Sequence, residues 1–193
     1  RSFNNISNGV SSMSQLKVNS IVPVGGLPAG SNGGIIQIRQ TVLTAAISYT
    51  PTGPNTFNDM PNFNCSITPS SNSSKIMIVV GIGALHQESG TIAAKVQRGS
   101  TDVGVGDANG NRPRSGFRMY GSAIYNTNHC GSYHYTFLDS PGTTSATTYK
   151  LVTMAENGSS YPVYLNRSVQ DSNDVYSYRA TTISTMTLME IAA

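Results

Sequence analysis

The feature that most limits what this chain can fold into is its run of short alternating segments, each cut off by turn-forming residues. Ten stretches read as strands: 35–43, 46–50, 62–69, 75–85, 91–99, 117–126, 131–139, 147–156, 162–168 and 182–191. In KIMIVV, Ile76, Ile78 and Val80 fall on one face, as a strand with one buried side requires. In TMTLMEI, Met186, Leu188 and either Glu190 or its neighbours split between faces. The separators TPTGPN, TPSSNSS, DANGNRP, LDSPGTTS, ENGSS and QDSND consist largely of residues that favour turns over ladders. No stretch carries a 3.6-residue period, and no repeat of fixed length occurs. Many short, evenly spaced strands predict an all-β fold, a sandwich of jelly-roll type, rather than βαβ units.

Composition narrows the function classes. Charged residues make up 11% of the 193 positions, against about 25% in an average soluble domain. Ser, Thr and Asn take their place, with 62 positions between them. Such a chain lacks the Ala, Glu, Lys and Leu of a helix bundle, and its regular apolar runs argue against disorder. The net charge of +3 comes from scattered basic residues, so nucleic acid is not an expected partner. The longest mainly apolar run, 76–85, is too short to cross a bilayer as a helix, so membrane insertion is not expected either. No signal peptide is read at the N-terminus, and the first residue is Arg rather than Met, which points to a processed product or a fragment.

Residues 1–33 differ from the rest. A polar start leads into a short extended piece and then into GGLPAGSNGG, which has the composition of a flexible linker. These residues are expected to form an arm, with Leu16, Val18 and Ile21 as its candidate docking side chains, and 34–193 the folded head.

Catalytic and cofactor motifs do not emerge. Nine Asp and Glu are present, and none pairs recognisably as a glycosidase dyad. GVGDANG lacks the Lys-Ser/Thr ending of a phosphate loop and the distal Glu of a calcium loop, so it reads as a β-turn. His129, Cys130 and His134 are close in sequence, but strand alternation splits them between faces, and no metal site is expected. His86 reads as a strand-end histidine, and Cys65 and Cys130 as two buried thiols, with a disulfide left open. Arg112, Arg114 and Arg118 form the only basic cluster. Salt bridges within or between subunits are its expected use, with contact to an anion or acidic glycan the alternative. Tyr161 and Tyr178, beside turns, are the tyrosines best placed for a ligand.

Several longer strings resemble a family of small virion structural proteins of tailed phages, of the type found in phages of cyanobacteria and other marine bacteria. MSQLKVNSI (13–21) is similar to the family's leader and IIQIRQTV (35–42) to its first strand. NCSITPSSNSSKIMIVVGIG (64–83) resembles its paired strands around a Ser/Asn-rich turn. KVQRGSTDVGVGDANGNRPRSGF (95–117) resembles its arginine strand and glycine turn. FLDSPGTTSATTYKL (137–151), VYLNRS (163–168) and TTISTMTLMEIAA (181–193) resemble the later motifs, so the likeness spans most of 13–193.

The resemblance implies a jelly-roll β-sandwich head, a homotrimer carried by an N-terminal arm that docks on other virion proteins. It implies a non-enzymatic role at the virion surface without cofactors, as a tail fibre contributing to host attachment. A capsid decoration or head-fibre protein is the alternative, and a glycan-depolymerising enzyme a distant third. Contacts to a host glycan or protein are expected at loop tips 106–114, 157–161 and 171–178, with Asn109, Arg112, Arg114, Asn157, Tyr161 and Tyr178 as candidates. Arg167 and Asp139, each inside a matching motif, are expected to form a partly buried ion pair that sets strand register. The apolar C-terminal strand, with Met186, Leu188, Met189 and Ile191, is expected to need burial near a threefold axis.

Overall fold

The computed structural model describes residues 34–121, 130–170 and 172–192. The expected arm, including Leu16, Val18 and Ile21, lies outside the described residues. The fold is all-β. Its strands are β1 (Ile35–Leu43), β2 (Ile47–Tyr49), β3 (Phe57–Ile67), β4 (Lys75–Gln87), β5 (Gly90–Arg98), β6 (Thr101–Val103), β7 (Phe117–Gly121), β8 (Gly131–Asp139), β9 (Thr147–Ala155), β10 (Val163–Leu165) and β11 (Ser184–Ile191).

The strands form two antiparallel sheets. In the first, β4 is flanked on one side by β8 and on the other by β11 and β10, which lie end to end along it. Next to these, β1 pairs with β11 and β2 with β10, so the outermost column is again two strands end to end. In the second sheet the order is β3, β9, β5, followed by β6 and β7 end to end along β5. The alternation read in the sequence places the core. Ile76, Ile78, Val80, Met186 and Leu188 from the first sheet meet Phe63, Ile67, Ile92, Val96, Tyr149 and Leu151 from the second, all buried. One long side is filled by aromatic rings: Phe117 stacks on Tyr133 at 5.1 Å between centroids, and Tyr135 lies 4.8 Å from Phe137. Gly116 makes room for them, since a Cβ there would lie 2.3 Å from the Tyr135 ring.

Three expectations need correction. The C-terminal strand does not depend on a neighbouring subunit for Met186 and Leu188, because β11 sits between β1 and β4 and buries both within one chain. The two cysteines are both free, but only Cys65 is buried; Cys130 is exposed just before β8. The third strand begins five residues earlier than expected. Pro61 and Asn62 lie in a bulge within it, where Asn62 takes φ 58° and pairing resumes beyond. A second bulge, between Ile82 and Leu85, changes which alternate residues of β4 face inward. Ile82 points into the core before it, and Leu85 after it.

On the outer surface of the first sheet one rung crosses all four columns as Ile38, Met189, Met77 and Leu138. Ile38 and Leu138 are more than half exposed.

Two buried polar groups hold the first sheet together. Asn166 follows β10 in a left-handed conformation, φ 64°, that Asn tolerates better than most residues. Its Nδ2 donates to the carbonyls of Leu43 (2.8 Å) and Ala45 (3.1 Å), at the break between β1 and β2. Its Oδ1 accepts from Ser184 Oγ (2.6 Å), at the start of β11. Its backbone N–H donates to Ala84 and its carbonyl accepts from Thr182. Glu190 is fully buried at the other end of β11. It accepts from Ser70 N–H (2.7 Å), Ser70 Oγ (2.6 Å) and Gln37 Nε2 (2.6 Å). Burial alone would raise its pKa, but these donors outweigh burial and bring it down to about 2 from 4.5.

Replacing Asn166 with Ala leaves buried carbonyls and a hydroxyl without their partner. It is expected to cost about 3 kcal/mol in urea unfolding; a loss below about 1 kcal/mol would show that the breaks hold themselves. The Glu190 pKa is depressed in the folded state, so its contribution is complete above the unfolded value of 4.5 and is lost as pH falls towards about 2. Glu190→Gln is therefore expected to lower stability at pH 7 and to flatten the acid limb of the stability curve, as followed by thermal melting from pH 7 to pH 2.

Candidate functional site

A cleft of about 600 Å³ opens on the outer surface of the second sheet. Strand alternation builds its floor. On β5, Ile92 and Ala94 point into the core, so Thr91 and Ala93 point out. Ala93 pairs with Arg118 of β7 on one side and Met154 of β9 on the other. A small side chain between two long ones leaves a depression. Asn55, at φ 53° in the turn before β3, and Glu156, just after β9, close one end. Glu156 is fixed there because its Oε2 accepts the Thr91 N–H at 3.1 Å, while its own N–H donates to the Thr91 carbonyl.

The loop joining β6 to β7 builds the wall. Gly116 N–H donates to the Ala94 carbonyl at 2.8 Å, and Gly106 N–H to that of Ser115. Arg114 Nε donates to the Gly106 carbonyl at 2.6 Å. These bonds hold Arg112, Pro113 and Ser115 over the edge of the sheet, where they line the cleft. The turn at the tip, closed by Arg112 N–H to the Asn109 carbonyl, carries Asn109 in solvent. On the same outer surface Lys95 is committed to Asp102 at 2.7 Å and lies 3.7 Å from the centre of the Phe57 ring. Burial would raise the Asp102 pKa, but hydrogen bonds from Lys95 and Gln97 bring it below the usual carboxylate value.

Of the candidate contact residues, only Arg112 lines this cleft. Asn109 and Arg114 share its loop. Asn157 and Tyr161 belong to the loop after β9, where Asn157 bonds Ser89 Oγ and the Tyr161 carbonyl accepts from Gln87. Tyr178 is in a 3-10 turn, Ser177–Arg179, and its side chain lies outside the described set. The lining includes residues that were not singled out as ligand contacts: Asn55, Thr91, Ala93, Ser115, Met154 and Glu156. Their convergence depends on pairing β5 with both β7 and β9, which local alternation does not reveal. The expectation of salt bridging for the arginine cluster is not met within the chain, since none of the three has an ion-pair partner among the described residues.

The expected pair of Arg167 and Asp139 is also replaced. Asp139 points inward from β8 and accepts from Arg98 Nε at 2.8 Å and from Tyr149 Oη at 2.8 Å. Both partners come from the opposite sheet, so the carboxylate ties the two layers. Burial first, and then the bond to Asp139, push the Tyr149 pKa well up. Arg167 instead donates to the carbonyls of Ser168 and Val169 and lies 5.0 Å from the centre of the Tyr164 ring. Among the described residues no group of three or more His, Cys, Asp or Glu comes together as a metal site; His129 lies outside them.

No protein-family model matches the chain, and no curated protein does.

A double-mutant cycle separates the two pairings of Asp139. Asp139→Asn with Arg98→Met is expected to show a coupling of about 1 kcal/mol or more, and Asp139→Asn with Arg167→Met less than about 0.5 kcal/mol. The reverse ranking in urea unfolding would restore the original expectation.

Proposed function

We propose that this chain is a structural protein of a tailed-phage virion, a homotrimeric β-sandwich head on the particle surface that serves as a tail fibre and contributes to host attachment. The observation that carries this reading is the order of the strand columns. Lettered a to h in chain order, with end-to-end strands counted as one column, the first sheet runs a-h-c-f and the second b-g-d-e. Adjacent pairs a–h, b–g, c–f and d–e are those expected of a long hairpin that is rolled up, which supports the jelly-roll reading. That topology is common in viral capsid and lectin domains. The step from fold to role is one of analogy, and it agrees with the phage-protein resemblance carried by the sequence motifs.

Two surfaces support the division of labour. The rung of Ile38, Met189, Met77 and Leu138 suits contact between copies of the chain, since exposed apolar rows of this kind mark interaction surfaces. The cleft beneath Arg112 suits host contact. Among the described residues its lining contains a single carboxylate, Glu156, whereas most glycoside hydrolases use two, which favours binding over cleavage. Three clefts per trimer and many trimers per particle would turn weak single contacts into firm attachment. Residues 1–33 are the proposed link to the other virion proteins.

Localisation on intact particles by cryo-electron microscopy tests the role. Threefold density at the tail, with heads outward, is the expected result. Density spread over the capsid lattice would make the chain a decoration protein, and absence from the particle would remove the virion role.

A further inference from the structure

Arg112 and Arg118 line the same cleft, and among the described residues neither has an ion-pair partner. Among the described residues Arg39, Lys75 and Arg114 likewise have none, whereas four other basic side chains are committed. Lys95, Arg98, Lys150 and Arg179 each hold an aspartate. In a protein this poor in charge, two uncommitted guanidinium groups on one cleft form a local surplus of positive charge. A guanidinium fork matches a planar carboxylate and stays charged at every relevant pH.

The remaining lining narrows the ligand. Ala93 and Met154 give an apolar floor and Pro113 an apolar rim. Asn55, Thr91, Ser115 and Glu156 supply polar groups at the ends, and one Glu156 oxygen is already engaged with the Thr91 N–H. Such a lining asks for a molecule with an anionic group, a flat face of C–H bonds and several hydroxyls. The volume of about 600 Å³ lies within the range of small-ligand sites. Inorganic phosphate meets fewer of these demands: it has no face to set on the apolar floor, and Glu156 repels its double charge more than the single charge of a carboxylate. A neutral sugar would leave both arginines unused.

We propose that this cleft binds the carboxylate-bearing sugar units of an acidic polysaccharide, with Arg112 and Arg118 holding the carboxylate and the Ala93–Met154 floor packing against the ring. The inference rests on the reading of the cleft as the surface that meets the host.

The test is titration of the full chain, followed by NMR, with short oligomers of galacturonate, glucuronate and mannuronate. Maltotriose serves as the neutral control and inorganic phosphate as the competing anion. At least one oligouronate is expected to bind. Its affinity should fall tenfold or more in Arg112→Gln and in Arg118→Gln, and it should weaken as salt is raised. Both side chains are exposed, so the variants are expected to melt with the wild type. Equal binding of maltotriose and the uronates, unchanged in the variants, would overturn the carboxylate assignment while leaving a glycan-contact role intact. Competition by phosphate at equal concentration would overturn it in favour of a general anion site. Failure of all three uronates to bind would overturn it outright, and the virion role would still be decided separately by localisation on the particle.

Discussion

The first sheet depends on one buried carboxamide. Two of its four columns are interrupted, one between β1 and β2 and the other between β10 and β11, and the interruptions lie side by side. A broken ladder leaves backbone groups facing the interior without partners, which a folded chain does not tolerate cheaply. Asn166 answers both gaps from one position, donating to Leu43 and Ala45 across one and accepting from Ser184 across the other. The left-handed backbone at Asn166 turns the chain out of the sheet while its carbonyl accepts from Thr182, where the chain returns. Glu190 does comparable work at the far end, where it binds the β3–β4 turn through Ser70 and the outer column through Gln37.

The parts of this arrangement that could be read from the sequence are those set by local alternation. KIMIVV shows its inward face directly, because the period of two is a property of the strand itself. Bulges break that rule without announcing themselves: the strand runs from Phe57 through the bulge at Pro61 and Asn62, ahead of the expected start at 62, and nothing in GIGAL signals that the inward parity changes before Leu85. The short strand β6, only Thr101–Val103, is hidden among turn residues for a similar reason. Partners across the sandwich are harder still. Asp139 and Arg98 are separated by 41 positions and meet only because β8 and β5 end near one another on opposite sheets. The motif containing Arg167 was equally eligible by sequence.

The candidate cleft shows the same limit. Arg112 was legible as part of a basic cluster, and its loop as a surface turn. That Ala93 lies between Arg118 and Met154, and so forms a floor, follows from the register of three strands. The two outer surfaces of the sandwich consequently differ in kind. One carries an apolar rung, proposed above as the contact between copies, and the other a charged cleft, proposed as the ligand site. Their separation on opposite layers would allow assembly and attachment to proceed without competing for the same residues.

The excursion between Asn166 and Ser184 leaves the first sheet and returns to the same column it left. The ladders flanking that gap end on Leu165 and Ser184; between them Thr182 donates to the Asn166 carbonyl, while Val175 and Tyr176 are exposed. A segment attached in this way is free to drift, lengthen or be exchanged over evolutionary time while the sandwich stays the same.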